Sequence, residues 1–264
     1  MIAPSWMPAE YRDWNWQEGA PYGHPLQKTP KEQKRLSAER IWRLKGPFGG
    51  QGNNSIREFE YPWCFHAAKL EKGMHVLEVG GGLAGFQFVL DRFGCEVVNV
   101  DPGMEAAGVG WPCEPETMRK LNRWFDTDVE LRSTTIDQAQ LETHRFDRAF
   151  AISVIEHLPR RDMRQVTRHV FRSLKPGGLF VLTVDLFLNL QPFTARKSNE
   201  YGRNQNVRTL VESEKWELVS GKRDELYGFD EFDAGRVQSR LEKYLIGQYY
   251  PAMAQCIVLR KPTA

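Results

Sequence analysis

Net charge, cysteine pairing and long apolar runs are all scarce in this 264-residue chain. Lysine and arginine total 36 against 34 acids, a net charge of +2. That balance gives no electrostatic argument for a nucleic-acid or membrane-surface partner. The four cysteines, Cys64, Cys95, Cys113 and Cys256, are scattered without a C-x-x-C pair. They read as reduced thiols of a cytoplasmic protein, with no metal framework expected. His66, His75, His144 and His169 have no ligand spacing. The most apolar stretch, Gly178 to Leu190, carries Asp185 in its middle and is too short to span a bilayer. Residues 1–22 lack the apolar centre of a signal segment. Internal repeats and low-complexity tracts are missing as well.

What is present is ordinary globular composition, 41% hydrophobic and 27% charged, in a chain long enough for a large core. Prolines 4, 8, 21, 25 and 30 predict an irregular segment over residues 1–30. Lys31–Lys45 reads as a charged helix ended by Gly46-Pro47-Phe48-Gly49-Gly50. Ile56–Leu70 reads as a second helix, or two short ones around Pro62.

Regular alternation starts at residue 74. Strands are expected at Met74–Val79, Glu96–Val100, Val129–Ser133, Arg148–Ile152 and Leu179–Val184. Helices are expected at Ala84–Phe93, Glu114–Phe125, Asp137–Glu142 and Arg161–Leu174. The turn Lys175-Pro176-Gly177-Gly178 leads into the fifth strand. This is the pattern of a doubly wound α/β fold with a mostly parallel sheet. Helical stretches near Asn206–Glu214 and Ala234–Leu245 and a last strand at Ala254–Leu259 complete the expectation.

The densest signal is Val76-Leu77-Glu78-Val79-Gly80-Gly81-Gly82-Leu83-Ala84-Gly85-Phe86. A strand ends in an acid, and glycines then open a helix whose free N–H groups face a ligand. Gly80, Gly82 and Gly85 fit G-x-G-x-x-G, which nicotinamide and flavin dinucleotide folds share. Glu78, however, would repel a pyrophosphate and suits a cationic amine. Asp101 ends the second strand, where a carboxylate accepts from both hydroxyls of a ribose or caps the next helix. Asp137, after the third strand, reads equally as a receiver of an adenine amine or as a helix cap, with Ile136 beside it.

These residues resemble the class I S-adenosylmethionine-dependent methyltransferases. The likeness rests on Leu77-Glu78-Val79-Gly80-Gly81-Gly82, on Asp101, on Phe146 through Leu158 with its Ser153-x-x-Glu156-His157-Leu158 ending, and on Leu174-Lys175-Pro176-Gly177-Gly178. It covers roughly residues 70–185. Leu83-Ala84 departs from the usual loop, where a smaller or more polar pair is frequent. The resemblance implies a seven-stranded Rossmann-like sheet and S-adenosyl-L-methionine as cofactor, with S-adenosyl-L-homocysteine as product. Gly80, Gly81 and Gly82 would pass along the methionine part, and Glu78 would orient its amino group. Asp101 would bind the ribose, Ile136 and Asp137 the adenine, and Ser153 would lie near the sulfonium.

His157, just beyond the fourth strand, is the candidate base for an acceptor hydroxyl; a structural histidine opening the next helix is the alternative. Asp185 faces the acceptor or caps its loop. The expected reaction is methyl transfer to a small molecule, at oxygen. Two alternatives stand beside it: a nicotinamide-type oxidoreductase using the glycine loop, and a methyltransferase-like binding protein without catalysis. Residues 1–70 are expected to form a helical N-terminal extension and 71–264 the cofactor-binding domain. Within that domain, 186–253 would be the acceptor-binding or lid segment. Its aromatics, with those of the N-terminus, would pack on the sheet, cover the site or bury a contact with a second copy.

Overall fold

The computed structural model describes residues 1–50, 52–103 and 113–263. Its centre is a seven-stranded sheet of order β3-β2-β1-β4-β5-β7-β6. The strands are β1 (His75–Val79), β2 (Glu96–Val100), β3 (Glu130–Arg132), β4 (Phe146–Ile152), β5 (Leu174–Phe187), β6 (Glu217–Ser220) and β7 (Ala252–Arg260). The first five are parallel, and β7 runs antiparallel between β5 and β6. This is the seven-stranded Rossmann-like sheet that the resemblance implies.

Two-residue periodicity builds the two faces. Val76, Val97, Phe150 and Val181 enter one core, while Leu77, Val98, Ala151 and Leu182 enter the other. The helices divide accordingly. On the first face lie α1 (Ala9–Glu18), α4 (Arg57–Ala67), α5 (Gly85–Phe93) and α6 (Pro115–Phe125). On the second lie α7 (Arg160–Ser173) and the short α8 (Arg208–Val211). Two short helices, α2 (Pro30–Gln33) and α3 (Ala38–Lys45), precede α4, and α9 (Ala234–Gln238) precedes β7. Among the described residues no helix is long and apolar enough to cross a membrane.

Several expectations need correction. The proline-spaced N-terminus contains a ten-residue helix, α1, because Pro8 sits at its N-cap, where no N–H is required. Lys31–Lys45 is split between α2 and α3, with Ser37 capping the latter through the Arg40 N–H. The helix expected at Asp137–Glu142 is a turn, with Arg132 Nη1 bonding the Ala139 carbonyl at 2.8 Å. The strand β5 begins before the Lys175–Gly178 turn, as a bulge that shifts register against β4. Ala234–Leu245 divides into α9 and a single 3-10 turn at Leu241–Lys243. The edge strand β6 was not foreseen: four residues leave too short a pattern.

Candidate functional site

Parallel strands deliver their carboxyl ends to one rim, and every candidate residue of the core lies along it. The glycine loop leaves β1 there. Gly80 adopts φ +69°, the left-handed region, and a Cβ on it would stand 2.7 Å from Val154 Cγ1. A Cβ on Gly81 would stand 2.7 Å from Glu78 Cδ. The loop is therefore drawn tight over the Glu78 carboxyl.

Side chains of β2 and of Asp101 just past its end pin this loop. The Gly82 N–H donates to Asp101 Oδ2 at 2.7 Å, and the Gly81 N–H to Asn99 Oδ1 at 3.2 Å. Asn99 Nδ2 donates to the Gly82 carbonyl at 2.9 Å and to Gln87 Oε1 at 2.8 Å. Gln87, on α5, returns its amide to the carbonyls of Gly82 and Ala84. Asn99 and Gln87 were missed in the sequence. Their signal was there: a buried amide inside Val97-Val98-Asn99-Val100, and another in the apolar face of α5.

Glu78 is 2% exposed, and its Oε2 has no partner. Burial, then the charge of Asp101, pushes its carboxyl up to about 8. Asp101 is half-buried and also accepts from the Gly103 N–H at 2.7 Å. Two acids thus flank a bend of glycines. This donor set fits the cationic amino group and the ribose hydroxyls of S-adenosylmethionine, and it does not fit a pyrophosphate.

The other expected residues are distributed unevenly. Ile136 is buried in the second core with Val79 and Val100, so its side chain packs inward. Asp137 is exposed on the turn after β3, and a Thr135 hydroxyl holds its carboxyl below the usual range. Ser153 has φ +52°, and its hydroxyl donates inward to Glu156 Oε1. His157 ends the 3-10 turn Ile155–His157, with its side chain 41% exposed and Nε2 3.9 Å from Glu156 Oε1. Burial lowers its pKa below the usual imidazole value, which favours the neutral ring, the form that can accept a proton.

Beyond β4 and β5 the sequence reading missed a buried ionic group. Arg57 of α4 donates to Glu60 Oε2 and lies 3.9 Å from Asp185 Oδ1. Tyr250 donates its hydroxyl to Asp185 Oδ2 at 3.1 Å. Burial pushes Glu156 up to about 7 and Asp185 well above the usual carboxylate range. The partners come from α4, β5 and the approach to β7, so no local motif announces them.

Comparison with known proteins agrees with this geometry. A family model described as a methyltransferase domain matches residues 62–218, more than half of the chain. The sterol 4-C-methyltransferase strm-1 of Caenorhabditis elegans is 24% identical over 186 residues, covering 62% of this chain and 50% of that protein. The ubiquinone biosynthesis O-methyltransferase of a Methylobacterium strain is 27% identical over 108 residues, covering 41% and 39%. The chain thus spans half or less of the length of these curated relatives. In fold it resembles the 1,6-didemethyltoxoflavin-N1-methyltransferase of Burkholderia thailandensis, solved with S-adenosylhomocysteine bound. The TM-score is 0.50 at 15% identity, covering 99% of this chain and 95% of that one. The glycine bend between two acids, the strand order and the match over residues 62–218 lead to one conclusion: this chain belongs to the S-adenosylmethionine-dependent methyltransferases of class I.

Proposed function

We propose that this methyltransferase acts on a small-molecule acceptor and places the methyl group on oxygen. The names of its relatives span carbon, oxygen and nitrogen targets, so the choice rests on this chain's own residues. The observation that carries it is His157, a neutral and partly open imidazole at the rim beyond β4. A hydroxyl acceptor must shed its proton as it reacts, and an imidazole of this kind takes it. An unprotonated amine would need no such partner before reacting.

The cofactor, when bound, supplies a methyl carbon already activated by its sulfonium. What remains for the protein is alignment, water exclusion and proton handling. Glu78 receives the amino group through the carboxylate oxygen that has no internal partner. Asp101 holds the ribose hydroxyls, and Gly80, Gly81 and Gly82 let backbone pass alongside. Asp137, on its exposed turn, is the candidate for the adenine amine; Ile136 supports that turn from within the core. Ser153 acts one step back, fixing Glu156 beneath His157. Residues 1–70 and 186–253 form the acceptor side, since Arg57, Tyr201 and Tyr250 come from them.

The test is turnover. Protein incubated with methyl-labelled S-adenosylmethionine and fractionated metabolites is expected to label a hydroxyl-bearing compound, with the label appearing as an O-methyl resonance. Label on nitrogen or carbon would overturn the oxygen assignment. Absence of labelling despite tight S-adenosylhomocysteine binding would favour a binding protein without catalysis.

A further inference from the structure

The group around Arg57 is out of charge balance. Glu60, Glu156 and Asp185 are each fully buried, and Arg57 is the guanidinium among them. One oxygen of each acid, Glu60 Oε1, Glu156 Oε2 and Asp185 Oδ1, lacks a hydrogen-bond partner. So does Thr183 Oγ1, buried two residues before Asp185 and therefore on the same face of β5. Buried oxygens without donors are uncommon in folded proteins and ask for a ligand or water that donates. Among the described residues no group of three or more histidines, cysteines and acids is placed to hold a metal ion. These oxygens can therefore accept from an organic donor.

The covering of this group has a matching chemistry. Tyr250 stacks on Tyr201 with ring centroids 4.3 Å apart and lies 5.8 Å from the Phe187 ring. Its hydroxyl already supplies one donor to Asp185. Segment 199–203 is pressed against the Glu156 turn, where the Arg203 N–H donates to the Glu156 carbonyl at 3.2 Å. Aromatic faces above an excess of carboxylates form a receptor for an organic cation.

We infer that the acceptor carries a protonated amine, which is seated among Glu60, Glu156 and Asp185 beneath the Tyr201–Tyr250 stack. This rests on the function proposed above and adds to it the class of acceptor: a hydroxyl compound that also bears an ammonium group. The ammonium displaces the Tyr250 hydroxyl from Asp185 and donates to the free carboxylate oxygens. The acceptor's hydroxyl end is left towards His157, whose Nε2 lies 3.9 Å from Glu156 Oε1. The burial that raises Glu156 and Asp185 points the same way, because an ammonium relieves the repulsion that protons now relieve.

Two probes that differ in the ammonium alone, tyramine and 4-ethylphenol, test this by calorimetry on the full chain saturated with S-adenosylhomocysteine. Tyramine is expected to bind at least about tenfold more tightly. In Asp185→Asn, and separately in Glu60→Gln, that preference should fall to about twofold or less, with S-adenosylhomocysteine affinity retained as proof of folding. Equal affinities, no binding of tyramine at millimolar concentration, or a preference that survives both substitutions would overturn the inference. Failure of the wild-type protein to bind S-adenosylhomocysteine is read before either probe is added. It would remove the cofactor reading and this inference with it.

Discussion

Glu78 shows how much a single buried acid can report. Its carboxyl titrates at about 8 in the folded chain against 4.5 when free. Below about pH 4.5 both states carry the proton. Between about 4.5 and 8 the unfolded chain releases it and the folded chain keeps it, so stability falls as pH rises through this window. For one group the loss amounts to a few kcal/mol at most. Glu78→Gln should therefore flatten the fall in Tm between pH 5 and pH 8 and melt higher than wild type at pH 8, both without cofactor. The same variant should bind S-adenosylhomocysteine more weakly, because the carboxylate proposed to face its amino group is lost. A wild-type Tm that rises over this window would refute the assignment. Asp101→Ala removes the acceptor of the Gly82 and Gly103 N–H groups as well as the proposed ribose contact. Calorimetry should record at least a tenfold loss of affinity, about 1.4 kcal/mol. His157→Ala touches neither loop nor core. It should leave that affinity within about twofold while kcat falls by about a hundredfold or more.

At the scale of elements, α4 is where stability and specificity meet, since it packs on β4, β5 and β7 and carries Arg57 into the acidic group. Arg57→Met would leave three buried acids without a guanidinium, a change that costs about 3–5 kcal/mol when a buried ion pair loses one partner. The deficit should shrink at low pH, where the acids take up protons, and widen above neutrality. Thermal melts of the variant at pH 5 and pH 8 check this; a deficit independent of pH would mean that Arg57 acts through packing alone. Elements also mark the limit of what the sequence made legible. The strands β1, β2 and β4 and the helices α5, α6 and α7 could be read to within two residues, because each buries an apolar face of regular period. The glycine bend and Asp101 could be read because their chemistry lies within one β-α-β stretch. The acidic group could not, for Arg57, Glu156, Asp185 and Tyr250 lie on four segments and meet through the fold. Nor did the strand ends announce that the Ile136 side chain packs in the second core or that the Ser153 hydroxyl donates to Glu156.

Across the whole molecule, the N-terminal residues act as a strap over the segment proposed as the acceptor side. The Ala3 N–H donates to the Ala254 carbonyl on β7 at 2.8 Å, and the Leu245 N–H donates to the Ala3 carbonyl at 3.0 Å. The Ser5 N–H reaches the Lys243 carbonyl, and the Ile2 N–H reaches Glu225 Oε2 at 3.0 Å. The Ile2 side chain is buried with Leu186, Val237 and Met253. The strap thus joins β7 to residues 225–245, the stretch leading to Tyr250, and touches nothing in the glycine bend. Deleting residues 1–5 removes these bonds and one buried aliphatic side chain, a loss of about 3–6 kcal/mol. Because the loss is local, its effects should divide by site. Hydrogen exchange should quicken over residues 222–250 and stay slow over β1 and β2. S-adenosylhomocysteine affinity should hold within about twofold, while turnover falls through a raised acceptor KM. Exchange quickening evenly over the sheet, or cofactor affinity falling in step with turnover, would show that the two halves of the site are not held independently.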